Sequence, residues 1–273
     1  MSDIRKLENF LLERIGSGAA LAFSGGVDSS VLLEVLRRIR LKREFRLVAM
    51  TMHSLFQRTE ELEQARNAAA GAGVELRIFE CDPLRIPGVA GNPPDRCYHC
   101  KRHFFQQFRQ AADASGIPLL LDGTNADDLR EYRPGLRALR ELGVVSPLAE
   151  TAMTKAGIRA MAAELGLKCA TVPAAPCLAT RFEYGTHLSR ELIDRVAAGE
   201  EAIRRVLPAA ETFRLRVHGA TARIEVPPEF LAAAVARRIE LCEELHRLGF
   251  DFVALDLDGF RSGSMDVNIS REV

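Results

Sequence analysis

Three short stretches combine residue types that do chemistry: SGGVDSS at 24–30, RCYHCKR at 96–102 and PCLATRF at 176–182. In the first, ALAF reads as a strand and SSVLLEVLRRI as an amphipathic helix, which leaves SGGVD as the turn between them. Gly25 and Gly26 let the main chain bend sharply and approach a ligand, while Ser24, Ser29, Ser30 and the first helical amides present donors. An anion suits such a place, because a helix N-terminus combines unpaired N–H groups with a favourable dipole. No lysine follows the glycines as in the Gly-x-x-x-x-Gly-Lys loop, and the Gly-x-Gly-x-x-Gly spacing is absent. The plainer alternative is a tight turn with Asp28 or Ser24 as a helix cap.

A second acidic stretch, LLLDGTNADD at 119–128, places Gly123 and Thr124 at a strand end with Asp127 and Asp128 just beyond. Carboxylates beside a triphosphate hold magnesium, a hard ion that takes oxygen ligands; as an alternative the two aspartates cap the next helix. The six cysteines stand at 81, 97, 100, 169, 177 and 242. Cys81, Cys169 and Cys242 lie among apolar neighbours and read as packing. Cys97 and Cys100 form a C-x-x-C, open to a redox pair or, with Cys177 and His99 or His103, a zinc tetrahedron. His53, His187, His218 and His246 read as surface or packing residues.

The elements that must hold these groups follow from hydrophobic pattern. Apolar runs at 19–23, 45–50, 74–79 and 118–122 alternate with amphipathic stretches at about 28–42, 58–72, 98–115 and 154–166, as in a parallel sheet with helices on both faces. Ligands bind such sheets at the carboxyl ends of the strands. The rhythm breaks at CATVPAAPC, 169–177, which divides the chain into expected domains 1–170 and 171–273. The second part reads as a helix at 189–206, strands at 212–218 and 222–226 joined by an HGA turn, a helix at 228–247 and a strand at 250–257, a small α+β domain with antiparallel pairing. Arg214 and Arg216, two apart on a strand, share a face and suit a phosphate clamp, although an alternating arginine face is also a common solvent-facing pattern.

Composition narrows the classes. Hydrophobic residues at 47% and charged residues at 27% across 273 residues fit a folded globular chain. Thirty-seven basic against 37 acidic residues disfavour a nucleic-acid partner. No apolar run reaches the roughly 20 residues that span a bilayer, and the charged amphipathic start does not resemble a secretion signal, so a cytoplasmic location is expected.

SGGVDSS resembles the PP-loop of ATP pyrophosphatases, which cleave ATP between its α and β phosphates and adenylate a substrate. The resemblance implies that Ser24, Gly25, Gly26, Asp28, Ser29 and Ser30 cradle pyrophosphate, that Met50 and Thr51 lie near adenine, and that Gly123, Thr124, Asp127 and Asp128 belong to the ATP and Mg2+ site. Nearly the whole chain is similar to the LarE family, the sulfur transferases of nickel-pincer nucleotide synthesis: SGGVDSS, CYHCK, GTNADD, YRPG, SPL, PCLATR, RLRVHG with ARIEV, and FRSGSMDVN.

That likeness implies a PP-loop α/β domain and a C-terminal domain for substrate binding and oligomerisation. It implies ATP-dependent conversion of a carboxylate of pyridinium-3,5-biscarboxylic acid mononucleotide to a thiocarboxylate. Cys177 matches the sulfur-bearing cysteine, which some members sacrifice to dehydroalanine; others with two further cysteines are held to carry a [4Fe-4S] cluster on three thiolates, here Cys97, Cys100 and Cys177. The three thiols are then expected to converge facing the α-phosphorus. Thr180, Arg181, Glu200, Arg214 and Arg216 match the positions that bind the substrate, and the family's habit is a homo-oligomer, such as a hexamer. The sulfide source has no signature in the chain. The chain departs from the pattern at Ala170 and Val172, where a Trp and a Lys are usual, and at TMHS, 51–54, where Thr-Ala-Asp-Ser is common. Other readings are a PP-loop sulfur transferase acting on tRNA and a non-catalytic adenine-nucleotide or cluster-binding sensor.

Overall fold

The computed structural model describes residues 3–172, 176–261 and 264–265. The chain forms two compact units, Met1–Ile86 with Asp95–Ala174 and Pro87–Pro94 with Ala175–Val273. An eight-residue stretch from the first half of the sequence, 87–94, thus belongs with the second unit.

The first unit is built on α1 (Asp3–Leu12), β1 (Gly18–Ala22), α2 (Val27–Arg40), β2 (Arg46–Ser54), α3 (Thr59–Gly71), β3 (Glu75–Cys81), α4 (Arg96–Ala114), β4 (Leu119–Leu121), α5 (Gly135–Glu141), α6 (Pro147–Glu150) and α7 (Lys155–Glu164). All four strands are parallel, in the order β3-β2-β1-β4. Alternation along the strands feeds two apolar layers. Ala19, Leu21, Leu47 and Ala49 pack with Leu7, Val31, Leu36 and Ile158 on one face, and Ala20, Val48 and Met50 with Phe105, Phe108 and Leu139 on the other. Each large side chain buried this way contributes about 1.5–3 kcal/mol. Strands buried on both sides read as unbroken apolar runs, which is why the first half was legible as an α/β sheet.

Chain order reverses between β1 and β4: β2 and β3 extend the sheet on one side of β1, and β4 lies on the other. At such a switch point the loops leaving two neighbouring strands diverge and open a crevice. The loops in question are SGGVDSS, after β1, and GTNADD, after β4.

The second unit holds α8 (Arg190–Val206), β5 (Arg214–His218), β6 (Thr221–Glu225), α9 (Leu231–Ala236), α10 (Arg238–Arg247) and β7 (Phe252–Leu255). β5 and β6 form the expected hairpin, its turn made by Gly219 at φ 58°. β7 departs from the antiparallel expectation and pairs parallel to β6. The helical segment between them makes the difference, because parallel neighbours need a crossover connection of this length. The helix expected over 228–247 is also broken, with α9 ending before Arg237, whose φ of −97° and ψ of 16° leave the helical range. One face of this sheet carries Leu215, Val217, Ala222 and Ile224; the other carries Arg214, Arg216, Arg223 and Glu225. No helix among the described residues is long and apolar enough to cross a membrane.

Candidate functional site

In the first unit the SGGVDSS turn is shaped by its own hydroxyls. Ser24 Oγ accepts from the Gly26 amide at 3.3 Å and lies 3.2 Å from Ser29 Oγ, which in turn donates to the Gly26 carbonyl at 3.1 Å. Ser30 Oγ donates to the Gly25 carbonyl at 3.3 Å. These contacts fold the loop back on the first turn of α2, whose N-cap is Gly26 with extended φ and ψ and no side-chain cap. Asp28 and Ser24 therefore do not cap α2, and the plain capping reading of this turn fails. Gly25 has a positive φ of 76°, and a Cβ there would sit 3.0 Å from the Ala65 amide nitrogen, so both torsion and space call for glycine.

The loop after β4 closes on the same turn: a Cβ on Gly123 would meet the Ser29 amide at 3.2 Å. Asn125 Nδ2 donates to Asp28 Oδ1 at 3.4 Å. Thr124 and Ser146 donate to the two oxygens of the buried Asp122 carboxylate, each at 2.5 Å, which fixes both hydroxyls at the strand end. Asp127 accepts the Lys155 amide at 2.7 Å and so holds the first turn of α7, while Asp128 accepts the Asn125 amide at 3.0 Å and pairs with Arg133 at 2.8 Å. Both aspartates thus have main-chain duties, and Asp127 serves the helix expected over 154–166. Met50 is fully buried in the apolar layer, with its carbonyl taking the Phe23 amide at 2.8 Å, and Thr51 is 4% exposed.

Lys155 was invisible in the sequence as a site residue. Its ammonium forms a salt bridge with Asp28 from 127 positions away, with both side chains part-exposed. The PP-like loop lacks a lysine, and the fold delivers one from α7. Only the short MTK run ahead of a helical pattern hinted at the position, through Thr154 as N-cap.

Cys97 and Cys100 stand in the first turns of α4, one helical turn apart and half-buried, with the Arg96 guanidinium 3.8 Å from Cys97 Sγ. His99 pairs with Asp95 at 3.4 Å and His103 with Gln107 at 2.8 Å, so each ring already has a neighbour on its own helix. Cys81, at the end of β3, is held as a thiol by burial and then by the nearby Asp82, both of which raise its pKa. Within either unit the described residues gather no group of three or more His, Cys, Asp or Glu side chains as a metal site.

The second unit carries Cys177, just ahead of a single 3-10 turn, Leu178–Arg181. Its carbonyl accepts from the Thr180 hydroxyl at 2.8 Å and the Thr180 amide at 3.0 Å. Arg181 is fully buried and forms a forked pair with Glu200 of α8, Nε to Oε1 at 2.8 Å and Nη2 to Oε2 at 3.1 Å. Arg216 donates to Glu225 at 3.0 Å and to the Thr180 carbonyl at 2.9 Å. Arg223 and Ser264 also reach Glu225, at 3.1 and 2.8 Å. Burial lowers the Arg216 pKa, and the Glu225 carboxylate opposes that shift. Arg214, 6% exposed, donates to the Phe213 carbonyl at 2.6 Å and lies over the Phe260 ring. The solvent-facing reading of the arginine pair is thereby set aside. Glu225 and Arg223, the cross-strand partners, were not legible as site residues, because only the β5–β6 register brings them opposite. His218 continues the charged face, with Nδ1 2.8 Å from Glu183 and Nε2 buried without a hydrogen-bond partner among the described residues.

The crevice at the switch point, the serine- and glycine-built turn and the fold together define a nucleotide-binding protein of the PP-loop class. The model of the PP-loop domain family matches residues 1–143. An uncharacterized protein of Synechocystis is 36% identical over 250 residues, 91% of each chain. The pyridinium-3,5-bisthiocarboxylic acid mononucleotide synthase of Lactiplantibacillus plantarum is 34% identical over 251 residues, 92% of this chain and 90% of that one. An uncharacterized protein of Methanocaldococcus jannaschii is 30% identical over 258 residues, 94% and 96% of the two chains. The chain belongs to the LarE family of PP-loop proteins.

Proposed function

We propose that the protein is an ATP-dependent, cytoplasmic sulfur transferase that converts a carboxylate of pyridinium-3,5-biscarboxylic acid mononucleotide to a thiocarboxylate. The observation that carries this reading is the likeness to the named synthase over 92% of the chain, which spans both the PP-loop unit and the Cys177 unit. A carboxylate does not exchange oxygen for sulfur directly, because oxide is a poor leaving group. Its oxygen first attacks the α-phosphorus of magnesium-bound ATP, the bond to the β-phosphate oxygen breaks, and pyrophosphate leaves. A sulfur nucleophile then attacks the acyl adenylate, and AMP carries away the former carboxylate oxygen.

For the first step the loop residues Ser24, Gly25, Gly26, Ser29 and Ser30 offer hydroxyls and amides to the leaving pyrophosphate, and Lys155 supplies the cation the loop lacks. For the acceptor, Arg214 and Arg216 form a phosphate-binding pair: Arg216 keeps Nη2 without a hydrogen-bond partner among the described residues. Cys177 is the proposed sulfur carrier. As nucleophile its thiolate forms a thioester with the acceptor, and cleavage of its own Cβ–S bond, with loss of the α-proton, leaves dehydroalanine and the thiocarboxylate. An iron–sulfur centre, as a soft group, would take Cys97, Cys100 and Cys177 as its thiolates and would supply an iron open to external hydrosulfide.

The test is anaerobic purification with iron and sulfide analysis, followed by mass spectrometry after turnover with ATP, sulfide and the dicarboxylate mononucleotide. Dehydroalanine at Cys177 supports the sacrificial route. An intact Cys177 together with bound iron supports the recycled one. ATP cleavage that does not depend on the acceptor overturns the reading.

A further inference from the structure

Arg181, Glu200 and Thr180 follow or face the sulfur-carrying position, and the resemblance groups them with the substrate ligands. Their geometry assigns them another task. The Arg181 side chain is 0% exposed and that of Glu200 is 2% exposed, so neither presents a surface to a ligand. Each nitrogen of the guanidinium is engaged. Nε and Nη2 hold the two oxygens of Glu200, and Nη1 donates to the Pro176 carbonyl at 2.8 Å, with Thr180 Oγ1 at 3.0 Å and the Cys177 carbonyl at 3.3 Å. Two of those acceptors are the carbonyls of the peptide bonds that precede and follow Cys177, so the guanidinium fixes the main chain at the thiol-bearing residue.

Glu200 is anchored in turn. Its Oε1 accepts the Leu215 amide at 3.3 Å, which ties the fork to β5. Gly199, the residue before it, lets α8 come this near: a Cβ there would lie 2.4 Å from a Leu215 methyl. Thr180 completes the arrangement, donating to the Cys177 carbonyl while its own carbonyl takes Arg216 Nη1. A chain of contacts therefore runs from α8 and β5 through Glu200 and Arg181 to the backbone of Cys177.

We propose that Arg181 and Glu200, with Thr180, are positioning residues that set the backbone of Cys177, and that substrate phosphate is left to Arg214 and Arg216. The proposal rests on Cys177 being the sulfur carrier, but its test does not require sulfur transfer. Loss of one partner strands a buried charge and endangers folding, so the informative variant is the pair Arg181→Met with Glu200→Leu, since an apolar pair of similar volume often replaces a buried ion pair without loss. Thr180→Val is the milder companion.

Two quantities are measured on folded protein: the rate of Cys177 alkylation by iodoacetamide, read by peptide mass spectrometry with Cys97 as internal reference, and the affinity for nicotinic acid mononucleotide, a simple pyridinium carboxylate mononucleotide. The expected result is a rise in Cys177 alkylation of about ten-fold in the double variant and several-fold in Thr180→Val, relative to Cys97, with mononucleotide affinity within about two-fold of wild type. Unchanged Cys177 reactivity in both variants overturns the proposal. So does a ten-fold loss of mononucleotide affinity in the double variant, which would make Arg181 or Glu200 a ligand. If wild type fails to bind the mononucleotide, the alkylation rates alone decide. A failed thiolation assay with the expected alkylation pattern would count against the proposed function and leave the positioning role standing.

Discussion

The two charged regions of this protein solve opposite problems. Around the PP-loop, Asp28 and Lys155 form a part-exposed pair beside glycines and serine hydroxyls bonded to the loop itself. In the second unit, Arg181 of the turn after Cys177 and Glu200 of α8 form a pair that is almost wholly buried. The first arrangement can exchange its internal partners for a ligand at small cost, because water already attenuates the pair. The second cannot, since each ion has been taken out of water and depends on its partner. A binding surface and a rigid mount are both made of Arg, Lys, Asp and Glu, and burial separates them.

That contrast is most easily broken in the second unit. Arg181→Met alone takes the forked guanidinium from the buried Glu200 carboxylate and is expected to lower stability by about 3–5 kcal/mol in urea unfolding, a loss that adding Glu200→Leu largely restores. Should the single variant unfold like wild type, the clamp is not a structural unit. In the first unit the corresponding blow falls on function. Gly25→Val puts a branched side chain at positive φ against Ala65, and ATP affinity by calorimetry is expected to fall on the order of 100-fold, or about 2.7 kcal/mol. An affinity within three-fold of wild type would remove this turn from the nucleotide site.

Smaller changes sharpen the comparison. Gly199→Ala drives a methyl into Leu215 and should cost about 1–3 kcal/mol by overpacking, while ATP binding stays as it was. Lys155→Met should do the reverse: about a ten-fold weaker ATP affinity with a thermal midpoint close to wild type, because the Asp28 pair is part-exposed. A large drop in midpoint would place Lys155 with the buried lattice instead. The smallest effect lies outside both sites. Arg37, and after it Arg38, hold the Glu34 carboxyl below its usual pKa. A lowered folded-state pKa adds stability above the ordinary carboxylate range that is lost as pH falls through the folded value, so Glu34→Gln should flatten acid destabilisation by well under about 1 kcal/mol between pH 6 and 3.

Much of the first unit was legible because its strands are buried on both faces and its helices on one, so hydrophobic period reports the elements directly. The loop after β1 was legible for a related reason: glycines and hydroxyls at a strand-to-helix turn act through local backbone, and local backbone is written in adjacent residues. The second unit was read less completely. Nothing local in FDFVALDL distinguishes a strand parallel to β6 from one antiparallel to it, and the choice falls to the crossover helices. The run EFLAAAVARRIELC shows no breaker, yet the helix stops at Arg237.

What the sequence determined by itself was short-range: the α/β alternation, the anion-binding turn, the shared face of Arg214 and Arg216, and the identity of the thiols. Tertiary structure alone decided which distant charges meet. Lys155 finds Asp28, Arg181 finds Glu200 and Arg216 finds Glu225 because strand order, helix crossover and sheet register bring separated positions together. An ion pair between distant positions has no sequence period, since its energy depends on distance and on exclusion of water, and both are properties of the packed chain.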